Sequence, residues 1–138
     1  MTKIYLIRHA EAEGNLYRRI QGHWDGSITA LGLQQIDALA QRFRHEHIDA
    51  LYCSNLSRAR VTAEAITRYH DVPAVATPRL AEICMGVWEG RAWGDVEHEF
   101  PEQMRWFNTD PDRWSVPGCE PIRDVQKRMT VSYTHLTL

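Results

Sequence analysis

Cysteine is scarce in this sequence and unpaired: Cys53, Cys84 and Cys119 are its only three, and none stands in a Cys-x-x-Cys spacing. An odd, scattered set argues against a disulfide framework and a cysteine zinc site, and indicates a reduced, cytoplasmic protein. No apolar run approaches the ~20 residues of a membrane span. Residues Met1 to Leu6 lack the apolar core and cleavage site of a signal peptide. No charge of one sign dominates, because 16 Lys+Arg stand against 18 Asp+Glu for a net charge of −2. Without a uniform field, non-specific binding to nucleic acid or an anionic membrane is not expected, and any anion site must be built locally. Repeats, low-complexity stretches and linkers are absent as well. What is present is 138 residues, 43% hydrophobic and 25% charged, the composition of one globular domain able to bury its own core.

Lys3 to Ile7 is a short, nearly continuous apolar run that reads as a central parallel strand. It ends in Arg8-His9. After a polar, glycine-containing stretch, Thr29 reads as an N-cap. Leu33, Ile36, Leu39, Ala40 and Phe43 then recur at helical spacing, predicting a helix that ends near His47. Ala50 to Cys53 reads as a second strand, and Ser54 or Asn55 as the cap of a helix carrying Val61, Ala65, Ile66 and Tyr69 on one face. Val72 to Thr77 reads as a third strand, with Pro73 marking an edge. The βαβαβ order predicts an α/β fold with a parallel sheet. From about Arg79 to Glu120 the pattern loosens into short helices rich in tryptophan and proline, a lid-like insertion. Most of its tryptophans are expected to pack that insertion. Trp24, Trp88 and Trp93 are the candidates for contact with an aromatic or apolar leaving group.

In open α/β sheets, ligands bind beyond the carboxyl ends of the strands. Two strands here lead into arginine, the first into Arg8 and the second into Arg58 in the first turn of its helix. A helix N-terminus favours an anion, and arginine adds planar donors matched to phosphate oxygens. A neutral histidine between two arginines can attack phosphorus, while the arginines stabilise charge on the equatorial oxygens. By spacing alone, a lone histidine at a strand end is more often structural than catalytic.

Arg8-His9-Ala10-Glu11, Asn15 and Gln21-Gly22 resemble the first signature of the histidine phosphatase superfamily, which includes the cofactor-dependent phosphoglycerate mutases. Leu31-Gly32-Leu33 resembles the family's first helix start. Tyr52-Cys53-Ser54-Asn55-Leu56-Ser57-Arg58-Ala59 with Thr62-Ala63 resembles its second motif. Leu80-Ala81-Glu82-Ile83 and Gly86-Val87-Trp88-Glu89-Gly90 resemble its third, and Pro117-Gly118-Cys119-Glu120 also matches. The ordered motifs run from Lys3 to about Met129.

The resemblance implies a three-layer phosphoglycerate mutase-like α/β fold with a mainly parallel sheet. It implies His9 as the nucleophile, phosphorylated on its distal ring nitrogen, with Arg8 and Arg58 binding the phosphoryl group. Asn15, Gln21 and Gly22 then line the phosphate pocket. Glu82 is the general acid and then the base, a role suited to a partly buried carboxyl. No metal or other cofactor is expected, and the implied partner is a small-molecule phosphomonoester. Ala10 stands where the family usually has glycine, tolerable if its φ is not positive. Gly14 replaces a usual bulky residue. Glu11 reads as a residue that orients the loop or His9.

The C-terminus departs from the family. A second histidine, in a Ser-His-Gly-like motif on a later strand, has no counterpart. After Met129 the chain reads Thr130-Val131-Ser132-Tyr133-Thr134-His135-Leu136-Thr137-Leu138, rich in threonine and β-branched residues and not helical in pattern. The tail 130–138 therefore reads as truncation, a frame shift or appended sequence, with the C-terminal strand or strands and helices missing from a single incomplete domain, 1–138. His135 is a weak substitute for the absent histidine. Three functions follow. The first, favoured because the 79–120 segment is acidic and lacks lysine, is a metal-independent phosphomonoesterase of the broad-specificity branch. The second is a phosphoglycerate mutase using the same intermediate. The third is a phosphate-binding fragment without turnover.

Overall fold

A computed structural model describes residues 2–136, with side chains through Ser132. The chain begins with a one-turn helix, α1 (Glu13–Leu16), and a longer one, α2 (Ala30–Phe43). Thr29 starts α2 as its sequence predicts: the Thr29 hydroxyl accepts a hydrogen bond from the Gly32 amide at 3.0 Å. Strand β1 (Leu51–Ser54), helix α3 (Ser57–Thr67) and strand β2 (Ala74–Thr77) follow. The strands pair in parallel, Leu51 opposite Ala74 through Ser54 opposite Thr77. Parallel neighbours require a crossover, and α3 supplies it. Ile36 and Ala40 of α2 pack with Ala65 of α3 and with Ala10 in one buried cluster. The small alanines let the two helices approach closely.

The architecture is α/β with a parallel sheet, as the alternation predicts. Its sheet has two strands among the described residues. Lys3–Ile7, expected as a central strand, is not one. It pairs with neither β1 nor β2, and Ile4, Leu6 and Ile7 are exposed, Leu6 at 93%. The physical reason is that a strand is a property of a pair. An apolar run supplies side chains for a covered sheet, but it becomes a strand only beside a neighbour that takes its ladder hydrogen bonds. Helix α2 also ends earlier than expected, at Phe43 rather than near His47.

The stretch from Pro78 to Glu120 forms single 3-10 turns at Pro78–Leu80, Gly86–Trp88 and Pro111–Arg113 and two short helices, α4 (Trp93–Glu99) and α5 (Pro101–Thr109). A second apolar cluster holds it together: Trp88, fully buried, with Trp114, Val96, Met104, Met85 and Val116. Trp88 lies 5.5 Å from Trp114 and 5.9 Å from Phe107, centroid to centroid, at tilted and edge-on angles. Ile20 from the first loop completes the cluster, tying this stretch to the front of the chain. Gly86 closes its turn at φ +56°, and a Cβ there would lie 2.2 Å from the Pro117 carbonyl oxygen. Because that obstacle is backbone, Gly86→Ala is expected to destabilise the protein by about 2–4 kcal/mol. A lowered urea midpoint at unchanged slope checks this; a midpoint equal to wild type would show that the turn yields freely.

The last helix, α6 (Ile122–Leu136), overturns the expectation that the tail is not helical, because it runs on through the threonine-rich segment as far as Leu136. The Thr130 hydroxyl donates to the Gln126 carbonyl at 2.8 Å, one turn back, so its polar group is satisfied within the helix. Strand preference of β-branched residues is contextual, and here the continuing helix prevails. The side chains of Tyr133 and His135, weighed in the sequence against the family's second histidine, lie outside the described residues.

Candidate active site

One cleft of about 540 Å³ is lined by all seven residues singled out from the sequence: Arg8, His9, Asn15, Gln21, Gly22, Arg58 and Glu82. It lies at the seam between the two apolar clusters. Ile20 and Met85 belong to one, and His9 stands beside Ala10 of the other.

His9 is half-buried, and its Nδ1 lies 2.7 Å from the Ala10 carbonyl oxygen. A carbonyl only accepts, so Nδ1 carries the proton of the neutral ring and Nε2 keeps the lone pair. Burial holds the His9 pKa below its ordinary value against the opposing hydrogen bond to Ala10. The positive charges of Arg58 and Arg8 act in the same direction as burial, and the Glu82 carboxylate opposes them. The resting imidazole is therefore neutral, with its distal nitrogen available.

The loop carrying His9 is tied to α3 through Thr62. The Ala10 amide donates to the Thr62 hydroxyl at 2.9 Å, and that hydroxyl donates to the Arg58 carbonyl at 2.7 Å. Ala10 is not at positive φ, so alanine meets no strain there. Glu11 orients the loop rather than His9: its carboxylate accepts from the Thr29 hydroxyl at 2.6 Å.

Arg58 sits in the first turn of α3, as expected, and is 2% exposed. Its guanidinium donates to the Gly22 carbonyl at 2.8 Å, to the Trp24 carbonyl at 3.2 Å and to Asp25 at 3.4 Å. Five donors against three acceptors leave N–H groups for an anion in the cleft. The expected cap of α3 is corrected, because neither Ser54 nor Asn55 fills that role. The Asp25 carboxylate reaches across from the first loop and accepts the Ser57 and Arg58 amides. Arg8 is exposed and makes no hydrogen bond or ion pair with a described residue.

Asn15 uses its side-chain oxygen to accept the Ala12 amide at 3.0 Å, which leaves its NH2 group as a donor. Gln21 reaches the cleft because residue 14 is glycine: a Cβ there would lie 2.1 Å from the Gln21 Cγ. The unusual Gly14 thus makes room for an expected pocket residue. Gly22 turns the chain at φ +51°, and a Cβ there would lie 2.3 Å from Glu89 Oε1. That same oxygen accepts the His23 and Met85 amides, both at 2.8 Å.

Glu82 is exposed, not partly buried as expected. It follows the Pro78–Leu80 turn on an extended segment with little chain packed over it. One carboxylate oxygen accepts the Ile83 amide at 3.0 Å. Its main-chain carbonyl accepts from the His23 ring Nε2 at 2.9 Å and from Arg128 at 3.3 Å. Of the tryptophans named for leaving-group contact, Trp93 lines the cleft with Phe107, and Trp88 is sealed in the core. Asp25, Thr62, Glu89 and Arg128 were not foreseen as supports. Thr62 and Glu89 stand inside the quoted motifs without an assigned role, Asp25 and Arg128 stand outside them, and each acts on a residue distant in the chain. Among the described residues no helix is long and apolar enough to cross a membrane.

The chain is similar to known proteins over nearly its whole length. The profile of the histidine phosphatase superfamily (branch 1) matches residues 4–137. Phosphoserine phosphatase 1 of Hydrogenobacter thermophilus is 33% identical over 94% of this chain and 61% of its own length. A protein named probable phosphoglycerate mutase GpmB, of Yersinia pestis (strain Pestoides F), is 38% identical over 94% of this chain and 60% of its own. Among solved structures, Bacillus stearothermophilus YhfR superposes with a TM-score of 0.86 at 30% identity, covering 94% of this chain and 64% of that one. The chain thus spans about three fifths of the length of these relatives.

Proposed function

Since the chain belongs to the histidine phosphatase superfamily (branch 1), we propose that its cleft hydrolyses small-molecule phosphomonoesters through a phosphohistidine on His9, without a metal. The observation that carries this reading is the tautomer of His9, fixed by Ala10, in a cleft shared with four arginines, Arg8, Arg18, Arg19 and Arg58. Nε2 of His9 attacks phosphorus and the bond to the ester oxygen breaks. Glu82 gives its proton to that oxygen, so an alcohol leaves instead of an alkoxide. Arg8 and Arg58, with the Asn15 NH2 and the Gln21-Gly22 turn, hold the three phosphoryl oxygens during transfer. Water then attacks the phosphoimidazole, Glu82 takes the water's proton, and phosphate leaves with His9 restored. Trp93 and Phe107 flank the space left for the alcohol.

The relative named as a phosphoglycerate mutase raises a second reading, in which the phosphoryl group returns to the bound alcohol instead of passing to water. The experiment is phosphate release from an aryl phosphate in EDTA, with acid-labile, base-stable phosphoprotein trapped by rapid quench. Release without added bisphosphate is expected. A requirement for a bisphosphate primer would favour the mutase. Phosphate binding with no release would favour a fragment that binds without turnover.

A further inference from the structure

Arg128, near the middle of α6, spends its guanidinium on the segment that carries Glu82. It donates to the main-chain carbonyls of Arg79 at 2.9 Å, Ala81 at 2.7 Å and Glu82 at 3.3 Å. Its other face forms a forked pair with Glu120, at 2.7 and 2.9 Å. Glu120 in turn accepts the Cys84 amide at 3.4 Å, and its own amide donates to the Cys84 carbonyl at 2.9 Å. One arginine and one carboxylate thus grip the backbone on both sides of Glu82. From the opposite side the His23 ring donates to the same Glu82 carbonyl at 2.9 Å, linking it to the Gln21-Gly22 turn.

This clamp matters because little else holds Glu82. The residue is exposed, it lies between a 3-10 turn and the next turn at Gly86, and no strand or helix contains it. Carbonyls in such a segment would ordinarily be left to water. Here three of them converge on one largely buried cation, whose side chain is 18% exposed. A planar guanidinium with five fixed donors is suited to this, and an ammonium is not.

We propose that Arg128, locked by Glu120, is a positioning residue that sets where the Glu82 carboxyl meets the leaving group. The proposal rests on the reading of Glu82 as the general acid. Because Glu82 also serves the second step, which is common to all esters, the discriminating quantity is kcat/KM, which reports phosphorylation of His9: a misplaced acid lowers it where the leaving oxygen needs a proton and spares it where it does not. A merely structural arginine would lower both alike.

The experiment compares Arg128→Met, Arg128→Lys and Glu82→Gln with wild type, using p-nitrophenyl phosphate and a simple alkyl phosphate. Arg128→Met is expected to lose about tenfold more kcat/KM on the alkyl ester than on the aryl ester. Glu82→Gln should show the same skew more strongly, and lysine at 128 should restore little of it. The double variant should lose scarcely more than Glu82→Gln alone, because both act through one proton transfer. Equal losses on the two esters in Arg128→Met, beside a skew in Glu82→Gln, would overturn the proposal. Amide hydrogen exchange across residues 82–84 is read on the same proteins and needs no turnover. Faster exchange in Arg128→Met supports the clamp, and unchanged exchange overturns it. A Glu82→Gln variant with no skew would defeat the acid assignment instead, and exchange would still decide whether Arg128 holds the segment.

Discussion

Replacing His9 by alanine is expected to lower turnover by about 10³–10⁶-fold, the range seen when a covalent nucleophile is removed from an otherwise intact site. The fold should survive the change. His9 is only half-buried, and the Ala10 amide keeps its bond to Thr62 whatever stands at position 9. Trapped phosphoprotein should disappear with turnover, while phosphate binding persists on the arginines. Loss of the trapped species with turnover retained would mean that water attacks directly and His9 is not the nucleophile. The pH dependence follows from the same residue. Burial holds the His9 pKa below 6.5, so the neutral nucleophile persists into mildly acidic solution. The stability effect has the opposite face. As pH falls below 6.5 the unfolded chain takes up this proton before the folded one does, so the folded state loses stability until its own His9 titrates. In His9→Ala that component of acid destabilisation should vanish, which acid titrations of the two proteins, followed by tryptophan fluorescence, would measure.

Elements that depend on local pattern were legible in the sequence, and those that depend on distant partners were not. Helix α2 announces itself through its cap at Thr29 and its apolar spacing, because both act within a few residues. Helix α3 is legible for the same reason, but its cap is not, since Asp25 arrives from 32 residues upstream of Ser57. Lys3–Ile7 has the composition of a strand without a pairing neighbour, and composition cannot report a missing partner. The α6 tail has the composition of a strand and the structure of a helix, because continuation from a formed helix outweighs side-chain preference. In the cleft, the adjacency of Arg8 and His9 is visible in the chain itself. The arrival of Glu82 beside them is not: it depends on His23, 59 residues away, and Arg128, 46 residues away. The exposure of Glu82 is not legible in the sequence for the same reason, since burial is a property of what packs over a residue.

Arg58→Ala is expected to damage stability and chemistry together, and Arg58→Lys to repair little of either. Arg58 is 2% exposed and satisfies two carbonyls, Gly22 and Trp24, while pairing with Asp25. Removing it strands those carbonyls in a buried place and leaves the Asp25 carboxylate with only the α3 amides. Leaving such carbonyls without their donor costs about 1–3 kcal/mol each, a large part of the ~5–15 kcal/mol that holds an ordinary domain folded. The Gln21-Gly22-His23 turn would lose its anchor, and with it the pocket beside His9. Turnover should fall by about 10³-fold, the scale for losing one main stabiliser of the transferring phosphoryl group. Lysine carries the charge but offers one point of attachment where the geometry uses a fork, so it cannot bond both carbonyls and an anion at once. The discriminating measurement sets the urea midpoint beside kcat and KM for alanine, lysine and wild type. A lysine variant with wild-type midpoint and turnover would show that charge alone matters at this position. Loss of turnover in lysine with a near-native midpoint would assign the deficit to the planar donors facing the cleft.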